Sequence, residues 1–272
     1  MRRYCAFTLI ELLVVVTIIV VLLAMLTPSL ESAVLAAQKA KCASNLHSIH
    51  LGTNQYAMSN QGELIICRGR QVQTCFDTAN PKTPHGGSTP DDLKVDWLAA
   101  LASVGLAESG KTTMDDGTLQ NRPIEPLWQC PVSAVPQVKW TGAFGQYEVG
   151  YSYMGGIGRS QWVHSTTGVA YPQPPSPQKL GQSSPGWMLA SDNTYYAEGK
   201  WDPAHLNHTR PGNKGPDGST QAFMDGSAQW IEREKLSVGH TFWATHFISF
   251  FYQTELPTGW TVTDADRPDA FN

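Results

Sequence analysis

The first apolar run of this chain is short of everything that interrupts a helix. Between Phe7 and Thr27 there is no glycine, no proline and only one charge, Glu11, in 21 residues. At about 1.5 Å of rise per residue such a run reaches roughly 31 Å, the thickness of a bilayer's hydrocarbon core. Basic side chains are missing too: no Lys, Arg or His stands between Phe7 and Ala37, whereas Arg2 and Arg3 precede the run. That asymmetry keeps the N-terminus in the cytoplasm and sends the rest of the chain outward. Charge is scarce overall at 15% of residues, and the net of −4 falls to −6 on side chains once a leader carrying Arg2 and Arg3 is removed. An acidic head argues against nucleic acid as a partner, because phosphate contacts need clustered Lys and Arg. No G-x-S-x-G occurs, and the nearest stretch, GYSYMG at 150–155, has the wrong spacing for a nucleophile elbow, so no enzyme is expected. A second membrane span is lacking as well. The last apolar run, VGHTFWATHFISFFYQ, is short and interrupted by His240 and His246, and reads as a strand pair or a surface packing segment.

What is present raises the question of Glu11. A carboxylate in hydrocarbon costs about 2.5–3.5 kcal/mol on insertion scales, and no side chain of the span can neutralise it. An ordinary secretory signal, with Arg2 and Arg3, an apolar stretch and small residues such as Ser32 and Ala33 for cleavage, leaves the acid unexplained. Processing can make a partner. A cut between Ala6 and Phe7 exposes the α-amino group of Phe7 one helical turn from Glu11, in the same chain or a neighbour's.

FTLIELLVVV, preceded by a short basic leader and followed by Pro28, resembles the N-terminus of a type IV prepilin or type II secretion pseudopilin. The resemblance implies that a prepilin peptidase/methyltransferase removes residues 1–6, that Phe7 is N-methylated, and that Glu11 guides helix-to-helix assembly with copies of the chain and other pilin-like subunits. One departure is Ala6, where that family usually has Gly. The implied fold is α+β: a long N-terminal transmembrane and amphipathic helix packed on a small antiparallel-sheet head with irregular loops. The expected organisation is a leader (1–6), a transmembrane helix (7–27), its continuation into the head (28–60) and a globular head (61–272). The inner membrane holds it in a single pass with the head in the periplasm, before it moves into a pilus, a pseudopilus or the cell surface.

Past Pro28, which would kink the helix, Cys42, Leu46, Ile49, Thr53 and Tyr56 recur at helical spacing and present one face to the head. Asn60 and Gly62 end the helix. GELIIC (62–67) reads as a short strand, DTANPKTPHGGSTPDD (77–92) as a loop, and Leu93, Trp97, Leu98 and Leu101 as the buried face of a short helix capped by Asp91 or Asp92 and stopped by Gly105. PQPPSPQ (172–178) reads as an exposed turn or polyproline piece. In STQAFMDGSAQWIE two extended runs flank Asp225-Gly226, a tight-turn dipeptide whose two positions both take positive φ. Of five cysteines, Cys5 leaves with the leader, and the even set Cys42, Cys67, Cys75 and Cys130 faces an oxidising space. Three connectivities are open. Cys67 with Cys75 as a hairpin staple leaves Cys42 to tie the helix to Cys130, and free buried thiols are the alternative.

A second resemblance, to a branch of pilin-like proteins in which a histidine precedes Asp-Gly by nine residues, rests on KCASNLHSIHLGTNQYAMSNQGEL, LWQCP, YSYMGG and NH followed by AFMDGSAQW. Here sixteen residues separate His208 from Asp225, with RPGNKGPDG looking like an insertion. Resemblance to calcium-holding pseudopilin heads makes Asp192, Asp217 and Asp225 candidate Ca²⁺ ligands, while turn chemistry at Asp217-Gly218 and Asp225-Gly226 accounts for two of them without a metal. His205 and His208, three apart, could face one way on a helix as a zinc pair, but no third ligand stands at motif spacing. No cofactor beyond that calcium is expected. The competing class is a membrane-tethered module binding extracellular polysaccharide on some of its nine Trp and nine Tyr side chains.

Overall fold

The computed structural model describes residues 8–65, 74–76, 97–107, 111–113, 119–121, 126–132, 139–141, 146–156, 176–197, 199–209, 212, 214–242, 247–253 and 267–268. The chain divides into two compact units, residues 1–40 and 41–272.

Helix α1 spans Leu9–Ser59, and Pro28 lies within it without ending it. In the first unit its apolar side chains, from Leu9 to Leu35, are exposed, and a helix apolar on all sides suits lipid or other helices as surroundings. The hydroxyls there are satisfied locally: Thr17 donates to the Val14 carbonyl and Thr27 to the Leu23 carbonyl, each at 2.8 Å. A donor satisfied within its own helix removes most of the cost of taking it into hydrocarbon.

In the second unit α1 becomes one-sided. Cys42, Asn45, Leu46, Ile49, His50, Gly52, Thr53 and Ala57 are buried, a repeat of three and four residues that draws one stripe along the helix. The expected face is therefore present, with Tyr56 half-buried against the core. Gln61 and Gly62 take positive φ just past Ser59, and the Gly62 N–H bonds the Ala57 carbonyl at 2.8 Å, which stops the helix.

The strands are short: β1 (Thr74–Phe76), β2 (Lys111–Thr113), β3 (Leu119–Asn121), β4 (Lys139–Thr141), β5 (Gln146–Glu148) and β6 (Tyr151–Tyr153). They continue with β7 (Met188–Asp192), β8 (Thr194–Ala197), β9 (Lys200–Leu206), β10 (Gly218–Phe223), β11 (Ala228–Glu232), β12 (Ser237–Phe242) and β13 (Phe247–Phe251). Two four-stranded antiparallel sheets, in the orders β11-β10-β7-β6 and β12-β13-β8-β9, dominate the head, beside a three-stranded sheet β1-β5-β4 and the pair β2-β3. This is the α+β architecture expected, and the aromatic C-terminal run forms the β12–β13 hairpin, pairing Phe242 with Phe247. Helix α2 (Trp97–Ser103) ends at Gly105, φ +72°, with Leu106 N–H on the Leu101 carbonyl and Gly105 N–H on that of Ala102.

Three local expectations are corrected. GELIIC contributes a single bridge, Glu63 to Lys179, and buries Leu64 and Ile65, with its last two residues outside the described set. The end of PQPPSPQ is not exposed: Ser176 and Pro177 are buried, Ser176 bonds the Met154 carbonyl, and the Gly156 N–H bonds Pro177 at 2.8 Å. At the β10–β11 turn only Gly226 has positive φ, +88°. Asp225 instead uses its carboxylate to accept the Ser227 N–H and hydroxyl at 2.8 and 2.7 Å, so the turn is a three-residue loop with glycine at the left-handed position.

Candidate functional sites

At the start of α1, Thr8 is the N-cap and Glu11 the third helical residue. The Glu11 carboxylate accepts the Thr8 N–H at 2.9 Å and the Thr8 hydroxyl at 2.7 Å, and the Thr8 hydroxyl oxygen in turn accepts the Glu11 N–H at 3.3 Å. This is a capping box, the T-x-x-E pattern in which two of the helix's four orphan donors are satisfied. The sequence held the signal in Thr8-Leu9-Ile10-Glu11. Glu11 is thus partnered within the subunit, although no opposite charge reaches it among the described residues. Ala6 and Phe7, and so any pairing with the Phe7 amine, lie outside them.

A second constellation lies within the head. Cys42, Cys130, Asp192 and His208 are all buried, and their ligand atoms lie within 4.8 Å of one another. Each comes from a different segment. Cys42 heads the buried stripe of α1. Cys130 follows a 3₁₀ turn (Pro126–Trp128) pinned by the fully buried Trp128, whose indole N–H bonds the Leu106 carbonyl at 2.8 Å. Asp192 closes β7, and His208 stands two residues beyond β9 with φ +50°. Left-handed backbone at a non-glycine costs of order 1 kcal/mol or more and persists only where its surroundings impose it. Buried asparagines hold these segments in register. Asn207 Nδ2 donates to Gly150 at 2.8 Å and its N–H to Asn193 at 2.9 Å; Asn193 Nδ2 donates to Val149 at 3.1 Å; and Asn45 Nδ2 donates to the Tyr151 hydroxyl at 3.1 Å.

The distances within the cluster are short. Cys42 Sγ lies 3.3 Å from Cys130 Sγ and 3.6 Å from His208 Nε2, which lies 3.2 Å from Asp192 Oδ2. Both thiols are free. Asp192 Oδ2 also accepts the Thr220 N–H at 2.7 Å, its Oδ1 accepts Asn207 Nδ2 at 3.3 Å, and Trp230 meets the His208 ring edge-on with centroids 5.0 Å apart. Burial works against an imidazolium at His208, but the adjacent Asp192 carboxylate and Cys42 outweigh it and push the pKa up to about 9. Burial likewise opposes the Asp192 charge, and His208 and Thr220 reverse this, leaving its pKa lowered. The Cys130 contact, with burial behind it, pushes the Cys42 thiol well up. The cluster is not a thiol–imidazole–carboxylate relay. In a relay the nucleophile and the carboxylate occupy opposite ring nitrogens, whereas here Cys42 and Asp192 both face Nε2.

Of the three aspartates expected around calcium, only Asp192 joins a cluster of metal-ligating atoms among the described residues. Asp217 and Asp225 are exposed. HLNH is not helical: His205 belongs to β9, so His205 and His208 share no helix face. Cys67 lies outside the described residues and the side chain of Cys75 is not described, so their pairing is not placed, whereas Cys42 and Cys130 are brought together. Sequence reasoning set Cys42 and Cys130 beside each other and treated Asp192 and His208 in separate contexts; no short-range spacing links the four.

Residues 1–27 match the prokaryotic N-terminal methylation motif. No curated protein and no solved structure matches the chain. The matched residues run into α1, whose apolar part is long enough to cross a membrane, and the described head carries small antiparallel sheets with irregular loops: the chain bears a prepilin-type N-terminal segment on a pilin-like α+β fold.

Proposed function

We propose that this protein is a structural subunit of a type IV pilus-like or type II secretion filament. Its apolar helix holds it in the inner membrane with the head on the periplasmic side. Prepilin peptidase cuts between Ala6 and Phe7, Phe7 is N-methylated, and the subunit packs helix against helix with copies of itself and other pilin-like subunits. The match of residues 1–27 to the methylation motif carries this reading, supported by a helix long and apolar enough to cross a membrane.

Glu11 sets the register. Thr8 supplies it with two hydrogen bonds and no charge, so in an apolar bundle the anion remains uncompensated until it meets a cation. The new α-amino group of a neighbour's Phe7 is that cation, and only one axial stagger brings the two together.

Mass spectrometry of the mature N-terminus tests the reading. Co-expression with a prepilin peptidase/methyltransferase is expected to yield chains beginning with N-methyl-Phe7. An intact Met1, or a cut near Ala33, refutes it and points to a membrane-tethered or exported binding module.

A further inference from the structure

We propose that Cys42, Cys130, Asp192 and His208 hold a divalent transition metal, zinc by preference, in a closed tetrahedral site that fastens α1 to the head. A tetrahedral zinc site with bonds of about 2.3 Å to sulfur and about 2.0–2.1 Å to nitrogen and oxygen has edges of roughly 3.8 Å between sulfurs, 3.6 Å between sulfur and nitrogen and 3.3 Å between nitrogen and oxygen. The corresponding separations here are 3.3, 3.6 and 3.2 Å. A disulfide accounts for the two sulfurs alone. It gives no reason for a fully buried carboxylate and an imidazole to converge on the same point, nor for Cys42 and Asp192 to share one ring nitrogen.

Metal ligation explains both. The Nε2 lone pair and one carboxylate oxygen complete a set whose two thiolates select against calcium and magnesium, which take oxygen ligands, and suit a tetrahedral borderline-soft ion. On binding, the ion replaces the protons of both thiols and of Nε2, which leave as H⁺. Outer-shell donors are in place, since the Thr220 N–H and Asn207 Nδ2 hold Asp192 and Trp230 flanks the His208 ring. Four protein ligands and near-complete burial leave no position for substrate, which makes the site structural rather than catalytic. The left-handed backbone at His208 is the local strain that aims Nε2 inward.

The test uses mature full-length protein in detergent, with Cys67→Ser and Cys75→Ser introduced so that no other pair of thiols can take up metal. Protein isolated without reductant is expected to contain one zinc per chain. Exchange into Co²⁺ should give the intense visible bands of a tetrahedral ion together with thiolate-to-cobalt charge transfer. Cys130→Ser and His208→Ala should each weaken Zn²⁺ binding by about 100-fold or more, and Asn207→Leu, which removes a hydrogen bond to Asp192 together with the one to Gly150, by about 10- to 100-fold. Three results overturn the proposal: a metal-free chain joined by a Cys42–Cys130 disulfide, Co²⁺ spectra of octahedral oxygen ligation, or Zn²⁺ affinity unchanged by Cys130→Ser and His208→Ala. The metal content and cobalt spectrum are read with all four ligands intact, so they decide the matter even where a ligand variant fails to fold.

Discussion

At Gly52, helix α1 packs directly on Leu106, and Gly52→Ala is expected to destabilise the head even though alanine is the better helix former. A Cβ at position 52 would stand 2.6, 2.7 and 2.9 Å from Cγ, Cδ1 and Cδ2 of Leu106, about 1 Å inside normal carbon contact. Leu106 has little room to yield. It is 3% exposed, its N–H is held by Leu101 and its carbonyl by Trp128, each at 2.8 Å. Overpacking a constrained site costs about 2–3 kcal/mol, the upper part of the usual range. Exchanging glycine for alanine in a helix returns about 1 kcal/mol. The net loss is then about 1–2 kcal/mol, a fall of roughly 3–6 °C in Tm for a head of this size. The assay is thermal unfolding of the mature protein in detergent, followed by tryptophan fluorescence. Leu106→Ala alone should cost about 2–5 kcal/mol, but in the double variant the clash disappears, so the two losses should fall short of additivity by about 1 kcal/mol or more. A Gly52→Ala protein as stable as the parent, or losses that simply add, would refute the contact.

Other substitutions separate roles that the structure superimposes. Glu11→Gln keeps an acceptor for Thr8 but loses the charge; it should insert and be processed normally yet give few filaments, while Thr8→Val, which weakens the cap by about 1 kcal/mol, should spare more of the yield. Normal filaments from Glu11→Gln would reduce the acid to a helix cap. Arg233 is fully buried, donates to the Pro216 carbonyl at 2.8 Å and lies 5.8 Å over the Trp201 ring, so Arg233→Met should cost about 2–3 kcal/mol in urea unfolding. Arg233→Lys should recover under half of that, because an ammonium lacks the planar fork. Asp225→Ala should cost about 1 kcal/mol through the two lost Ser227 hydrogen bonds, with Tm unchanged by added calcium in parent and variant alike. Those same bonds to Ser227 lower the Asp225 pKa in the folded head; its contribution is therefore present above the unfolded value near pH 4 and lost as pH falls through the lower folded one. Melts of Asp225→Asn between about pH 5 and pH 2 should lack that component.

What was legible in the sequence is what neighbours along the chain decide. The stripe Cys42, Leu46, Ile49, Thr53 needs only the 3.6-residue period, and the aromatic run 238–253 needs only its length and its two histidines to be refused a second span. The β10–β11 hairpin was legible as an element but not in its turn, because Asp225 spends its side chain on Ser227 and leaves the left-handed conformation to Gly226 alone. Ser176 and Pro177 read as exposed because polyproline composition carries no record of the carbonyl of Met154 and the amide of Gly156 that they meet. The capping box is equally local, because Thr8 and Glu11 stand three residues apart at the start of α1.

The buried cluster belongs to a different order of information. Residues 42, 130, 192 and 208 meet because β6 and β7 pair with Tyr151 opposite Asp192, because Asn207 ties the end of β9 to Gly150, and because Gly150 in turn bonds the carbonyl of Trp128, two residues before Cys130. Each link is a long-range bond, and none leaves a spacing that a motif could record. The pieces KCASN, LWQCP, YSYMGG and NH, separate in the sequence, are the walls of one site in the fold. Four ligands drawn from four segments of short strands and turns tie those segments to α1 at Cys42, so metal binding contributes folding free energy at that place.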